Sequence, residues 1–268
     1  MSLPPKAKPI KSFNIVSWTG ENEGEKIILY APSGMGKSTL ASMLPNPVFI
    51  GVDDGARKIR HPKTGEPVKA ITGVTTFADV RKVLADVTLF NDFETIVIDT
   101  VTELQHLGLA YTFKTVPKDK GGAAINIEDY GWHKGYRYWY DTMRLILQAC
   151  DNLIHNSKNI CFIAQANTIR LANPAGEDFL QDGPELYHDK NVSILNQYVS
   201  WSDHVLKIGY SHVAVKEEKA GSSGRRAIFV HPEIHFIAKS RSIPQKYAVV
   251  SFDEPGDDSI WRILFGDK

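Results

Sequence analysis

Apolar residues in the first two thirds of the chain fall into short continuous runs that alternate with longer, helically spaced segments. The short runs are typical of buried strands and occur at 27–30, 47–55, 94–99 and 159–165. The helically spaced segments occur at 76–84, 104–113 and 130–154. Strands that alternate with helices predict an α/β fold with a mostly parallel central sheet flanked by helices.

The last third of the chain follows a different pattern. Residues 172–190 are rich in proline, glycine and acids and predict a long loop, after which helical spacing returns at 192–201. Short strand-like segments then occur at 204–208, 211–216, 226–231, 235–238, 247–252 and 261–265. We expect these additional C-terminal strands to extend the same sheet.

Composition places few limits on function. With 268 residues, 43% of them hydrophobic, the chain can bury a sizeable core. Its formal net charge of zero gives no overall basic field, so any contact with nucleic acid must come from local patches. Cys150 and Cys161 lie in apolar segments without metal-ligand spacing, which indicates a reducing compartment. The sequence has neither the pattern of a signal peptide nor a membrane-length apolar run, so we expect a cytoplasmic protein without membrane contact.

The most specific motif lies where the run at 27–30 breaks into a glycine-rich turn. Residues 31–38 follow the pattern G-x-x-x-x-G-K-[ST] of a phosphate-binding loop, with Ala31 at the first glycine position. In such a loop the lysine reaches the β- and γ-phosphates of a nucleotide and the serine holds Mg²⁺. A chance Gly/Ser-rich turn is the alternative, but a strand before and a helix after the motif favour a true P-loop. The residues predicted to bind ATP are Pro32, Ser33, Gly34, Met35, Gly36, Lys37, Ser38 and Thr39.

Acidic residues end the two predicted strands that follow the P-loop. Asp99 ends the run at 94–99, where an acid that organises Mg²⁺ belongs, although it could also cap the next helix. Asp53 and Asp54 lie at the end of the run at 47–55, so one of them can orient an attacking water as a general base. The sequence Asp-Asp-Gly is also a good turn, and that reading stays open.

Gln165 ends the fourth predicted strand. Its carboxamide can both donate and accept hydrogen bonds, so a glutamine beside the γ-phosphate can respond to hydrolysis and reorder the loop that follows. The alternative is a glutamine that only satisfies backbone groups at a strand end. We predict the first role.

In order and in local sequence, these segments resemble the RecA-like ATPase core. Phe49–Asp53 and Phe162–Gln165 resemble the catalytic-acid and glutamine segments of RecA, although RecA has a glutamate where Asp53 stands. A closer resemblance is to the phage nucleotide-binding proteins of the AAA-type group, which include single-strand annealing ATPases. That resemblance rests on the segments 30–38, 97–100, 129–136, 201–203 and 238–241.

The resemblance implies a RecA-like P-loop NTPase that uses ATP and Mg²⁺ in DNA recombination or single-strand annealing. It also implies a homo-oligomer on single-stranded DNA, located in the host cytoplasm if the protein is phage-encoded. On this basis residues 1–20 are a flexible tail with a peripheral strand at 13–18, and 21–210 form the ATPase core. Residues 211–268 are a β-rich extension of the same domain.

Two further groups of residues are candidates for function. Lys239 and Arg241 resemble the pair of cations with which RecA-like subunits reach a neighbour's ATP, although they could be solvated charges at a strand end. Cations interleaved with aromatic residues at 132–140 suit single-stranded DNA, but an aromatic stripe at helical spacing is also typical of a core. The candidate DNA contacts are Trp132, Lys134, Arg137, Arg225 and Arg226.

Three classes of function remain open from the sequence. The first is the DNA-dependent ATPase described above. The second is a small-molecule or nucleotide kinase, for which the predicted loop at 172–190 would have to act as a lid despite its lack of arginine. The third is a regulatory ATPase that acts on a protein partner.

Overall fold

The computed structural model describes residues 20, 22–52, 57–171, 176–211 and 225–266. The peripheral strand predicted at 13–18 and most of the strand predicted at 211–216 lie outside these ranges. Asp53 and Asp54 also lie outside them.

The described residues contain ten strands and six α-helices. The strands are β1 Lys26–Ala31, β2 Pro47–Gly51, β3 Ala70–Ile71, β4 Thr95–Asp99, β5 Asn159–Leu171, β6 Phe179–Pro184, β7 His204–Tyr210, β8 Arg226–Phe229, β9 Lys239–Ser240 and β10 Val249–Ser251. The helices are α1 Lys37–Ala41, α2 Phe77–Ala85, α3 Val101–Thr115, α4 Lys134–Ile154, α5 Ile194–Trp201 and α6 Ser259–Phe265.

The strands form one sheet in the order β10-β8-β7-β1-β5-β4-β2-β3, with β6 paired to β5 and β9 paired to β7. From β7 to β3 every neighbouring pair along this order is parallel, whereas β8 and β10 continue the sheet as antiparallel strands. The predicted α/β class with a mostly parallel sheet and additional C-terminal strands is therefore confirmed.

Two apolar layers cover the sheet. Side chains alternate along β1, so that Ile28 and Tyr30 face one layer while Ile27 and Leu29 face the other. The first layer contains α2, α3, α4 and α5, and the second contains α1 and α6. Buried residues of α4 such as Met143 and Ile146 are fully covered, and truncation of a side chain of this kind costs about 2–5 kcal/mol.

Three sequence predictions differ from the structure. Residues 261–265 belong to helix α6 rather than a strand, since Trp261, Leu264 and Phe265 pack on the layer that holds α1. The predicted loop at 172–190 contains β6, which pairs with an extension of β5 as an antiparallel ribbon. No strand covers 235–238, and β9 begins only at Lys239. A short apolar run does not distinguish a strand from a helix by periodicity, and the proline, glycine and acidic residues of 172–190 obscure the strand pattern of β6.

None of the helices in the described ranges combines the length and the apolar character that crossing a membrane requires.

Candidate nucleotide-binding site

The P-loop connects the end of β1 to the start of α1. Gly34 has φ of 80° and Gly36 has φ of 94°, which are values that glycine adopts without the steric cost that a side chain imposes. These two positive angles turn the backbone around the loop, as the motif predicts. Lys37 follows at once as the first residue of α1.

The amino group of Lys37 lies among three oxygen atoms. It donates hydrogen bonds to the carbonyl oxygens of Ala31 at 2.8 Å and Pro32 at 3.0 Å, and to Oε1 of Gln165 at 2.9 Å. Strand register explains the last contact, because Ala31 at the end of β1 pairs with Gln165, the last residue of β5 that pairs with β1. The strand predicted to end at Gln165 in fact continues to Leu171. The lysine is 7% exposed, so its charge is held in a largely desolvated position.

Ser38 and Asp99 form the second part of the site. The Ser38 hydroxyl donates to Oδ2 of Asp99 at 2.7 Å, and Asp99 is 2% exposed at the end of β4. The cap of helix α3 is Thr100, whose side chain accepts a hydrogen bond from the backbone N–H of Glu103. The alternative role of Asp99 as a helix cap is therefore filled by its neighbour.

Gln165 is part of a hydrogen-bonded connection that runs away from the P-loop. Its backbone N–H donates to Oγ1 of Thr102 at 3.0 Å, and its carbonyl accepts from the N–H of Glu185 at 2.7 Å. Gln105 then bridges Glu185 and Tyr187, donating to the carbonyl of the first and accepting from the N–H of the second. The position of Gln165 thus depends on α3 and on the segment after β6.

These groups converge on one cavity of about 310 Å³. Its lining includes Ile59 and Thr100, which the sequence did not assign to the site. Ile59 belongs to no recognisable motif, and in the segment 97–100 only Asp99 was given a role. The remaining lining residues were all predicted and are Ser33, Gly34, Gly36, Lys37, Ser38, Thr39, Asp99 and Gln165.

The donor set fits a nucleotide phosphate with Mg²⁺. Within the described ranges, histidine, cysteine, aspartate and glutamate side chains form no group of three or more that could hold a metal ion by themselves. Mg²⁺ does not need such a group, since it is commonly bound by one or two protein oxygens together with phosphate oxygens and water. Ser38 and Asp99 supply oxygens of that kind beside the buried ammonium of Lys37.

Comparison with known families agrees with this arrangement. A family model described as an AAA domain matches residues 23–242. The chain belongs to this AAA domain family. The matched range covers the P-loop, Asp99 and Gln165, and it ends before β10 and α6.

Solved structures with low sequence identity also align with this AAA domain protein. The crystal structure of the RadB recombinase aligns with 87% of this chain and 89% of that chain, at 12% identity and a TM-score of 0.45. The KaiC-like protein PH0186 from Pyrococcus horikoshii OT3 aligns with 86% of this chain and 90% of that chain, at 10% identity and a TM-score of 0.43. Curated proteins gave no match to the sequence.

The predicted general bases, Asp53 and Asp54, lie outside the described residues, but the chain is described up to Val52. Strand β2 ends at Gly51, which pairs with Asp99, and the N–H of Val52 donates to the Asp99 carbonyl at 2.8 Å. The chain therefore leaves β2 next to the Ser38–Asp99 pair. The role of Asp53 or Asp54 stays a prediction.

Lys239 and Arg241 each have partners within their own subunit. The amino group of Lys239 donates to three carbonyls at the end of α5, those of Val199, Ser200 and Ser202. Partial burial lowers the pKa of Lys239, and the nearby charge of Arg241 lowers it further. Arg241 itself is exposed and pairs with Asp203 at 2.8 Å. Lys239 thus holds the end of α5, and a role of either cation in a neighbouring subunit stays a prediction.

The aromatic stretch at 132–140 divides into an exposed part and a packed part. Trp132 is 92% exposed, whereas Trp139 is buried and donates its indole N–H to the carbonyl of Gln105. Lys134 pairs with Asp119, and the Arg137 guanidinium lies over the ring of Tyr140. The core reading is therefore correct for Trp139, and DNA contact stays a prediction for the exposed residues.

The two arginines at the start of β8 also differ. Arg225 is exposed, but Arg226 is half-buried and donates from Nη1 to the carbonyl of Met35 at 3.1 Å. Arg226 thus lies at the P-loop, a position that its assignment as a candidate DNA contact did not anticipate. Arg225 remains a candidate for DNA contact.

Proposed function

We propose that the protein binds ATP with Mg²⁺, hydrolyses it, and acts as an oligomer on single-stranded DNA in recombination or strand annealing of the phage type. The observation that carries the ATPase proposal is the convergence of the P-loop lysine and serine with Asp99 and Gln165 at one cavity. The groups come from different positions along the chain, yet all lie at one edge of the parallel part of the sheet, where β1 and β4 end and β5 leaves its parallel neighbours. Ligands of open α/β sheets bind at this edge.

The chain's own residues have distinct roles in this proposal. Lys37 neutralises negative charge on the β- and γ-phosphates, and its partial burial strengthens that interaction relative to water. Asp53 or Asp54 accepts the proton of the attacking water. Gln165 exchanges its bond with Lys37 for a bond at the γ-phosphate side of the cavity. Mg²⁺, held by Ser38 and Asp99, would supply further neutralisation of phosphate charge.

Action on single-stranded DNA rests on the resemblance to recombination ATPases and on the surface residues that could serve it. Trp132 is exposed enough to stack on a base, and Arg137 and Arg225 are exposed cations that could contact phosphates. Arg241 is exposed at the protein surface, where a group of a second subunit could replace Asp203 as its partner. These features support an oligomer on DNA as the working form.

A small-molecule kinase is the second candidate, and one observation favours it. A cavity of about 500 Å³ shares Ile59 with the phosphate cavity and also includes Gly51 at the end of β2. Apolar residues such as Val68 and Ile71 line much of it, so it could hold a phosphate acceptor. Against this candidate, β6 lies in a ribbon with β5 where a kinase would need a lid carrying arginines.

A single titration separates the candidates. Purified protein is titrated with magnesium ATP and a single-stranded oligonucleotide, while phosphate release and particle mass are followed together. The proposal predicts hydrolysis that rises with the oligonucleotide as the mass increases. Hydrolysis with no response to DNA in either measurement would favour a regulatory ATPase, and phosphate transfer to an added small molecule would favour a kinase. Lys37→Ala serves as the control for contaminating hydrolysis.

A further inference from the structure

The C-terminal part of the chain contacts the P-loop from the side opposite to β5. Arg226 at the start of β8 donates from Nη1 to the Met35 carbonyl at 3.1 Å, and its guanidinium lies 4.6 Å from the centre of the Phe252 ring. Phe252 is fully buried directly after β10, and its N–H donates to the Arg226 carbonyl at 2.9 Å. We call Arg226 and Phe252 the P-loop clamp. Phe252 lies beyond the range of the AAA domain match.

The clamp touches the loop at the glycine that the motif requires. A Cβ atom on Gly36 would lie 2.9 Å from Nη1 of Arg226 and 3.2 Å from Cε1 of Phe252. The clamp therefore packs against the backbone of the loop itself, and a side chain at position 36 would displace the end of the Arg226 side chain. Gly36 also lines the phosphate cavity.

The hydrogen bond to Met35 fixes the direction of the next N–H group. In a trans peptide the C=O and the following N–H point in opposite directions. Because Arg226 donates to the Met35 carbonyl, the N–H of Gly36 in the same peptide is directed away from Arg226, and Gly36 lines the phosphate cavity. We propose that Arg226 is a positioning residue that holds the Met35–Gly36 peptide in its phosphate-binding orientation.

Two properties of the clamp suit this role. An arginine has a planar, permanently charged guanidinium, so it can stack on a ring and donate at its edge at the same time. Phe252 is held by the apolar layer that also contains Met35 and Leu40, which gives the arginine a rigid platform. The positive charge adds to the potential that attracts phosphate at the loop. The inference rests on the proposed function, since it assigns the clamp to the same nucleotide site.

The expected consequence is a change in nucleotide affinity rather than in chemistry. In Arg226→Met the apolar stem remains, but the charge and the donor to Met35 are lost. We expect the Kd for magnesium ADP, measured by calorimetry without DNA, to rise about 10-fold or more, as for loss of a charge-assisted hydrogen bond. The kcat at saturating ATP should change little, because the lost interaction is equal in the ground state and the transition state.

A matched control removes the same charge elsewhere in the C-terminal segment. Arg262 in α6 is exposed and pairs with Asp258, so Arg262→Met should leave the Kd for magnesium ADP within about 2-fold of the wild-type value. Thermal unfolding of the nucleotide-free variants shows whether each one is folded. A purely structural role for Arg226 would lower the Tm of Arg226→Met without changing its Kd.

The outcomes separate this inference from the proposed function. A wild-type Kd in folded Arg226→Met would overturn the positioning role and leave the nucleotide site intact. If that variant does not fold, Arg226→Lys carries the test, since lysine lacks the planar stack and should still raise Kd about 3-fold or more. An unchanged Kd in that variant would then contradict the inference. Failure of the wild-type protein to bind magnesium ADP would overturn the proposed function and the inference with it.

Discussion

The amino group of Lys37 lies 2.9 Å from the side-chain oxygen of Gln165, although the two residues are 128 positions apart in the chain. The contact joins the P-loop to the strand that lies between β1 and β4. It also joins the P-loop to the hydrogen bonds that Gln165 makes with Thr102 and Glu185. We expect a nucleotide phosphate to compete with Gln165 for the ammonium of Lys37, and release of the glutamine would then change the hydrogen bonds that lead to the segment after β6.

Gln165 is predicted to serve hydrolysis more than binding. Gln165→Ala should bind ATP with nearly wild-type affinity but lose about 10²-fold in kcat, as when one preorganised polar group at a transition state is removed. In Gln165→Glu, a carboxylate of similar shape would pair with Lys37 and repel phosphate, so affinity for ATP should fall. Calorimetry and steady-state hydrolysis measure the two effects. Equal affinity in the alanine and glutamate variants would argue against competition for Lys37.

Asp53 and Asp54 are predicted to include the general base. An asparagine at the correct position keeps the shape of the side chain but cannot accept the proton, so kcat should fall by about two orders of magnitude or more with little change in ATP affinity. Asp53→Asn and Asp54→Asn are compared under the same conditions, and each serves as the control for the other. Normal hydrolysis by both variants would rule out the base assigned here.

Substitution of Trp261 tests how much helix α6 contributes to the stability of the fold. Its indole N–H donates to the Leu40 carbonyl at 2.8 Å, and the residue is 3% exposed. Trp261→Phe should lower the free energy of unfolding by about 1–2 kcal/mol, because it loses this bond and some packing. Trp132→Phe, at a residue that is 92% exposed, should change it by less than about 0.5 kcal/mol. Urea unfolding measures both, and equal effects would mean that α6 does not support the P-loop helix.

The sequence predicted the part of the site that local motifs encode. Lys37 and Ser38 follow from a contiguous pattern, and Asp99 and Gln165 follow from polar residues at the ends of apolar runs. It could not predict the contact of Arg226 with the P-loop or that of Trp261 with α1, which span 191 and 221 positions. Those contacts depend on how the last strands and α6 fold back onto the sheet. The same tertiary packing explains why the short apolar run at 261–265, which the sequence predicted to be a strand, is helical in the structure.

Arg241 is predicted to act on the ATP of a neighbouring subunit. If it does, an Arg241→Ala subunit keeps its own P-loop and a Lys37→Ala subunit keeps its own arginine, so a mixed assembly contains some complete interfaces. Activity should therefore appear when two inactive variants are mixed, because a cation at the γ-phosphate can contribute about 10³-fold in rate. Turnover that is independent of protein concentration, with no recovery on mixing, would indicate a monomeric enzyme.

The central claim is that the cavity beside Lys37 binds nucleotide phosphate, and calorimetric titration of magnesium ATP into wild-type and Lys37→Ala protein tests it most directly. Removal of a largely buried ammonium from a phosphate site should cost several kcal/mol, which would bring binding by the variant close to or below detection. Thermal unfolding without nucleotide confirms that the variant is folded. The account predicts binding by the wild-type protein and a loss of about 100-fold or more in Lys37→Ala. Equal affinity and equal hydrolysis in the two proteins would contradict it.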